Sequence, residues 1–150
     1  MAAVLLDTDV FSYLLKGAGD NAARYRKHVT GKTVAVSFVT VGELYSGFIK
    51  KGVGQARYEA LEARLQTIAI VPYDIEVCRA YGQLVTLKTE TGSSRVMAGN
   101  DRWIAACAIR HNLPLVTNNR KHFDNIHGLT IITETPPPPP QAPGDLFGPA

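Results

Sequence analysis

Asp7, Glu43 and Asp101 each interrupt an apolar stretch, in Leu5-Leu6-Asp7-Thr8-Asp9, Val41-Gly42-Glu43-Leu44 and Asn100-Asp101-Arg102-Trp103-Ile104. An isolated acid at a strand end or a helix start is either a cap or a metal ligand. Asp7 has an Asx turn or a helix cap as its structural alternative. Thr40-x-x-Glu43 has the spacing of a capping box. Asp101 follows Asn100 at a helix start, where the dipole favours an acid whatever its function. If the fold gathers all three, only a cation can hold such a concentration of negative charge. Hard divalent cations take oxygen ligands, and Mg²⁺ keeps several waters while using one or two carboxylates directly. Such an ion lowers the pKa of a water and stabilises charge on a phosphoryl oxygen, which is what hydrolysis of a phosphodiester requires.

The elements that must position these acids alternate. Residues 3 to 7 form a short apolar run ending in an acid, as a buried strand does, and helical spacing follows from Val10 to Leu15 until Gly17. A second helix is expected over residues 21 to 29, behind Asp20. Thr33 to Phe38 is β-branched and apolar and predicts a strand, and a helix is expected from Thr40 to about Lys50. After Gly52-Val53-Gly54, Tyr58, Leu61, Leu65 and Ile68 recur at helical spacing. Ile68 to Val71, closed by Pro72, reads as a third strand. Residues 74 to 89 read as a helix with Ile75, Cys78, Tyr81, Leu84 and Val85 inward, and Thr89 to Gly99 as a Gly/Ser/Thr-rich loop. A helix over 101 to 111 and strands over 113 to 117 and 129 to 133 complete the pattern. Strands alternating with helices predict an α/β domain with a mainly parallel sheet. In open sheets of this kind ligands bind outside the carboxyl ends of the strands, where Asp7 falls.

A chain of 150 residues with 45% hydrophobic content suffices for one domain, which buries roughly 68 to 70% of its unfolded surface. We expect a folded domain over 1–134 and a disordered tail over 135–150, because the run from Pro136 lacks amide donors and favours polyproline II. The net charge is +3, and setting aside Glu134 and Asp145 leaves 16 basic against 11 acidic side chains, the 13 less these two. A basic surface around a concentrated acidic spot suits a polyanion bound at a metal site. Cys78 and Cys107 show neither CxxC nor histidine spacing and read as small buried hydrophobes. The N-terminus lacks the basic region of a signal peptide and no apolar run reaches membrane length, so a cytoplasmic protein is expected.

The segments LLDTDVFSYLL, VSFVTVGELYSG, NDRWIAACAIRHNLPLVTNN and HFDNIHGLTII, in that order and spacing, resemble a PIN-domain ribonuclease of the VapC toxin type. The similarity runs over about residues 3 to 133. It implies a three-layer α/β/α sandwich and a Mg²⁺- or Mn²⁺-dependent endoribonuclease active on tRNA or ribosomal RNA. It also implies a homodimer and a cognate VapB-type antitoxin that blocks the site. By position, Asp7, Glu43 and Asp101 take the places of the family's metal-binding acids, and Thr8 and Thr117 those of its hydroxyls near the site. Asp9 stands where an asparagine or serine is common and can supply a further oxygen. The chain departs from the family after Thr117, where many relatives carry a fourth acid: here stand Asn118 and Asn119, His122 precedes Phe123 where an acid is frequent, and Asp124 is one step displaced. One ion or two therefore stays open, with Asn119 as a supporting ligand. We expect Asp7 and Asp101 to hold Mg²⁺ and Glu43 to orient or deprotonate the attacking water, leaving a 5′-phosphate and a 3′-hydroxyl. Arg95, Arg102, Arg120 and Lys121 flank these acids in sequence and are candidate phosphate contacts.

Two other readings stand beside this one. Asp7-Thr8-Asp9-Val10 after a strand also resembles the nucleophile and acid pair of haloacid-dehalogenase-like phosphatases, although that family needs a downstream acidic pair where this chain has Asn118-Asn119. A catalytically silent PIN-like interaction module would use the acids as caps and partner contacts. Gly17-x-Gly19-x-x-Ala22 follows a helix and so fails the context of a dinucleotide site. His28, His111, His122 and His127 show no paired ligand spacing and read as surface or packing residues.

Overall fold

In β1 (Ala3–Leu6) successive side chains point to opposite faces, and both faces are apolar: Leu5 enters one core, Val4 and Leu6 the other. That near-continuous apolar run is the mark of a parallel strand covered on both sides. The computed structural model of the chain describes residues 2–84 and 97–136, with the backbone alone at 87–88 and 94–95. Five strands, β1, β2 (Thr33–Ser37), β3 (Ala69–Val71), β6 (Leu115–Val116) and β7 (Ile131–Ile132), form one sheet in the order β3-β2-β1-β6-β7. Every pairing is parallel, with Leu5 opposite Ala35 on one side and Leu115 on the other. The strands are shorter than their apolar runs because pairing ends where the chain turns into loops or helices.

Helices α1 (Thr8–Lys16), α2 (Asp20–Arg26), α3 (Phe38–Lys51) and α4 (Gln55–Leu65) cover one face and bury Phe11, Tyr25, Leu44, Phe48 and Leu61 against Val4, Leu6, Val36 and Val116. Helices α5 (Ile75–Gln83) and α6 (Gly99–Arg110) cover the other, with Ala105, Ala106 and Ala108 allowing α6 to lie close on Leu5 and Leu115. This is the expected α/β/α sandwich. A short α7 (Arg120–Phe123) and an antiparallel pairing of β4 (Leu87–Lys88) with β5 (Ser94–Arg95) complete it. Strand β5 falls where only a loop was expected, and β4 within the stretch expected to be helical to Thr89, since α5 ends at Gln83.

Three local expectations are corrected. Helix α3 begins at Phe38, with the Ser37 hydroxyl accepting from the Thr40 amide as its N-cap. Glu43 is therefore inside the helix and makes no capping box with Thr40. In α5, Asp74 caps the Val77 amide and sets the phase so that Val77 and Ala80 are buried, while Ile75 is 68% exposed and Cys78 is exposed. Ile75 and Cys78 thus face outward against expectation, while Tyr81 and Leu84 pack inward as expected. Only Cys107 is a buried thiol, pushed up to about 12 by burial and then by the charge of Asp74. Glu134, set aside in the charge count, accepts from Lys27 and His28 at 2.6 and 3.0 Å and so counts with the fold. The proline-rich segment from residue 137 lies outside the described residues, and no helix among the described residues is long and apolar enough to cross a membrane.

Candidate active site

The chain leaves β1, builds the sheet outward through β2 and β3, and returns to place β6 on the other side of β1. The carboxyl ends of β1 and β6 thus flank a topological switch point, where adjacent loops diverge and leave a crevice. Asp7 ends β1, Thr117 ends β6, Glu43 faces in from α3, and Asp101 sits in the first turn of α6. All three predicted acids and Asp9 line one cleft of about 370 Å³, together with Thr8, Ser12, Asn119 and His122.

Neutral donors hold the acids in place. Asp7 is buried; its Oδ1 accepts from the Thr8 amide at 2.8 Å and its Oδ2 from the Thr117 hydroxyl at 2.7 Å. It is the N-cap residue of α1, so the cap reading and the site reading both apply to it. Asp9 Oδ2 accepts from the Asn118 amide at 3.2 Å and the Asn119 side-chain amide at 3.1 Å. Glu43 Oε1 accepts from the Thr8 hydroxyl at 2.9 Å. That hydroxyl has one proton, so the Thr40 hydroxyl 2.9 Å away must donate to it, and Ser37 donates to Thr40 at 3.3 Å. Three hydroxyls in file, two of them fully buried, end on Glu43.

Holding acids with neutral groups leaves their mutual repulsion in place. Burial raises the pKa of Asp7, and the charge of Asp101 raises it further against the lowering effect of the Thr117 and Thr8 bonds. Asp9 is pushed up to about 7, first by burial and then by the charge of Asp7. A bound cation reverses both effects. The donor set is carboxylate and amide oxygen, which suits a hard divalent ion. Among the described residues no three acid or histidine side chains are spaced to close on one ion directly, so an ion there would complete its shell with water, as Mg²⁺ does.

Residues 4–129 match the PIN domain. The chain belongs to the PIN-domain family. Ribonuclease VapC1 of Haemophilus influenzae is 30% identical over 130 residues, covering 83% of this chain and 92% of that protein. The tRNA(fMet)-specific endonuclease VapC of Shigella flexneri is 26% identical over 129 residues, covering 86% and 96%. Among solved structures, VapBC2 from Rickettsia felis bound to a DNA fragment from their promoter superposes with a TM-score of 0.71 at 27% identity, covering 87% of this chain and 98% of that one.

Within this PIN domain the departures from the family pattern acquire distinct places. Asn118 turns away from the cleft: its Oδ1 accepts from the Tyr25 hydroxyl at 2.7 Å and its backbone oxygen from Thr135 at 2.8 Å. Asn119 faces the site through Asp9. His122, read from sequence as a surface or packing residue, puts Nδ1 3.0 Å from Asp101 Oδ2. Asp124 faces Arg120, at 3.2 Å.

The candidate phosphate contacts fare unevenly. Arg102 donates to the Tyr81 carbonyl at 2.8 Å and lies 3.8 Å over the Tyr81 ring, away from the acids. Arg120 is paired with Asp124, and neither it nor Lys121 lines the acidic cleft. The Arg95 side chain lies outside the described residues. Among the described residues the lysine and arginine side chains that do line the cleft are Lys51 and Arg57. Lys51 lies two turns beyond Glu43 on the same face of α3, a helical spacing present in the sequence, whereas Arg57 reaches the cleft only through the α3–α4 geometry.

Proposed function

We infer that this PIN domain is a metal-dependent endoribonuclease toxin of a VapBC-type pair, acting on tRNA or ribosomal RNA in the cytoplasm. The observation that carries the reading is the meeting of Asp7, Asp9, Glu43 and Asp101 in one cleft at the switch point of the sheet. The relatives named as ribonucleases, one as specific for tRNA(fMet), support the substrate class. A VapB-type antitoxin is the partner, as in the VapBC2 assembly. A cavity of about 220 Å³ with Phe11, Leu14, Val29 and Ile68 in its walls, beside Arg26 and Arg64, suits such a partner's apolar and acidic side chains. For the homodimer, exposed Ile70, Tyr73 and Ile75 follow one another from β3 into α5 and offer an apolar face to a second copy.

In this reading Asp7 and Asp101 hold Mg²⁺, with Mn²⁺ as a substitute, and Asp9 and Asn119 add supporting oxygens. The ion supplies positive charge to the phosphoryl oxygens and lowers the pKa of a nearby water. Glu43 takes the proton of the attacking water. The Thr8 hydroxyl fixes one of its oxygens and leaves the other for that proton. Thr117 keeps Asp7 Oδ2 oriented, and His122 does the same for Asp101 Oδ2. In-line attack on phosphorus breaks the bond to the 3′-oxygen and leaves a 5′-phosphate.

Expression with and without the adjacent small reading frame, followed by mapping of new RNA 5′ ends, tests the reading. Discrete 5′-phosphate ends in tRNA or ribosomal RNA are expected only without the antitoxin, and only when Asp7 is intact. The same ends in an Asp7→Asn culture contradict it.

A further inference from the structure

Lys51 and Arg57 share the cleft with four acids, yet among the described residues neither comes within the 4.0 Å of a carboxylate oxygen that makes an ion pair. Among the described residues Lys27, Arg79 and Arg120 are paired with acids and Arg102 lies on Tyr81, while cations without such a partner, such as Lys32, Lys50 and Arg110, lie outside the acidic cleft. Two cations beside an acidic site, paired with none of its members, are placed for an anion that comes from outside. Their position is built. Lys51 ends α3, Gly52 at φ 63° reverses the chain as only glycine does readily, and α4 returns along α3. Arg57 lies with its guanidinium 5.0 Å over the ring of Phe48, which is itself held edge-on by Tyr58 at 5.4 Å. An aromatic face therefore sets the direction of Arg57.

The wall they form faces a physical need. Four carboxylates repel the phosphates on either side of the one being cut, and an ion bound among the acids serves only its neighbours. Past Arg57 the cleft adjoins a second hollow of about 420 Å³, which shares Phe48 and Arg57 with it and reaches Leu15 and Lys16. A cationic edge with an apolar wall is the surface that tracks single-stranded nucleic acid.

Resting on the ribonuclease reading, we propose that Lys51 and Arg57 bind the phosphates flanking the scissile one and lead the RNA strand out of the acidic cleft, across the α3–α4 turn, towards Lys16. Fluorescein-labelled unfractionated tRNA, titrated with the full chain carrying Asp7→Asn across a salt series, tests this. Lys51→Gln and Arg57→Gln should each weaken binding several-fold at low salt and reduce the slope of log K against log salt by about 0.7 to 0.9. Arg57→Lys should keep the slope, and Arg79→Gln should not change it. Unchanged slopes in both glutamine variants, with tRNA still bound by the Asp7→Asn parent, overturn this proposal alone and leave the pair to an acidic segment of a protein partner. A wild-type chain that neither binds nor cleaves tRNA or ribosomal RNA overturns the ribonuclease reading and this proposal with it.

Discussion

The chain treats its acids in two opposite ways. At the Glu134 clamp one carboxylate meets Lys27 and His28, and the Lys27 bond, with His28 adding to it, lowers its pKa. At the switch point Asp7 and Asp9 meet each other, with hydroxyls and amides as their donors, and burial raises both pKa values. The clamp is a charge balanced on site and serves the fold by tying the chain after β7 to α2. The cleft is a charge left unbalanced, which costs stability and is sensible only where a cation arrives to offset it. The contrast separates an acid balanced by cations within the fold from acids set beside one another.

The largest expected effect comes from removing the unbalanced charge. Asp7→Asn should lower RNA cleavage by at least roughly a hundredfold while raising the melting temperature of the metal-free protein, measured in EDTA. A variant that is inactive and less stable would make Asp7 a structural cap. Next, Thr8→Val ends the hydroxyl file and leaves Glu43 without the donor that fixes it. Cleavage should fall roughly tenfold, within the range of losses seen when a supporting shell is removed, with the fold preserved by circular dichroism.

The pH dependences of the two regions should run in opposite senses. Asp9 is protonated more readily in the folded state, at about 7 against 3.8 unfolded. Its contribution is complete below the unfolded value and is lost as pH rises towards 7. Denaturant melts of the metal-free protein should show this decline, and saturating Mg²⁺ should flatten it, since ions bind the deprotonated ligands. Glu134 runs the other way: its lowered pKa contributes above the unfolded value and is lost as pH falls through the folded one. Glu134→Gln should give the smallest effect of the set, a salt-sensitive drop in melting temperature near the limit of detection, because the pair is solvent-exposed.

The sheet, its parallel sense and the pairing of acids with strand ends were legible because buried strands and helices carry different apolar periods over long enough runs. Asp7 was legible as a strand end beside a turn. Glu43 was ambiguous, because Thr40-x-x-Glu43 satisfies capping geometry locally; the tie was broken by Ser37, one turn earlier, which caps first. In α5 Tyr81 and Leu84 were placed inward correctly, but Ile75 and Cys78 were not, because an apolar count does not register the Asp74 side-chain bond to the Val77 amide. His122 and Arg57 reach the cleft only through tertiary placement by α7 and α4, so distance in sequence carried no information about them, whereas Lys51 shares the Glu43 face of α3 at helical spacing and was legible there. The phosphate contacts inferred from nearness to the acids in sequence met the converse problem: Arg102, next to Asp101, points to the other side of its helix and packs on Tyr81.

The central claim is that the switch-point acids form a cation site in which Asp7 and Asp101 are the principal ligands. Mn²⁺ binding to the metal-free protein near neutral pH, followed by electron paramagnetic resonance, tests it most directly. The account predicts saturable binding that weakens at least roughly tenfold in Asp7→Asn and in Asp101→Asn, while Glu134→Gln leaves it unchanged. Absence of saturable binding, or equal affinity in wild type and Asp7→Asn, would contradict it.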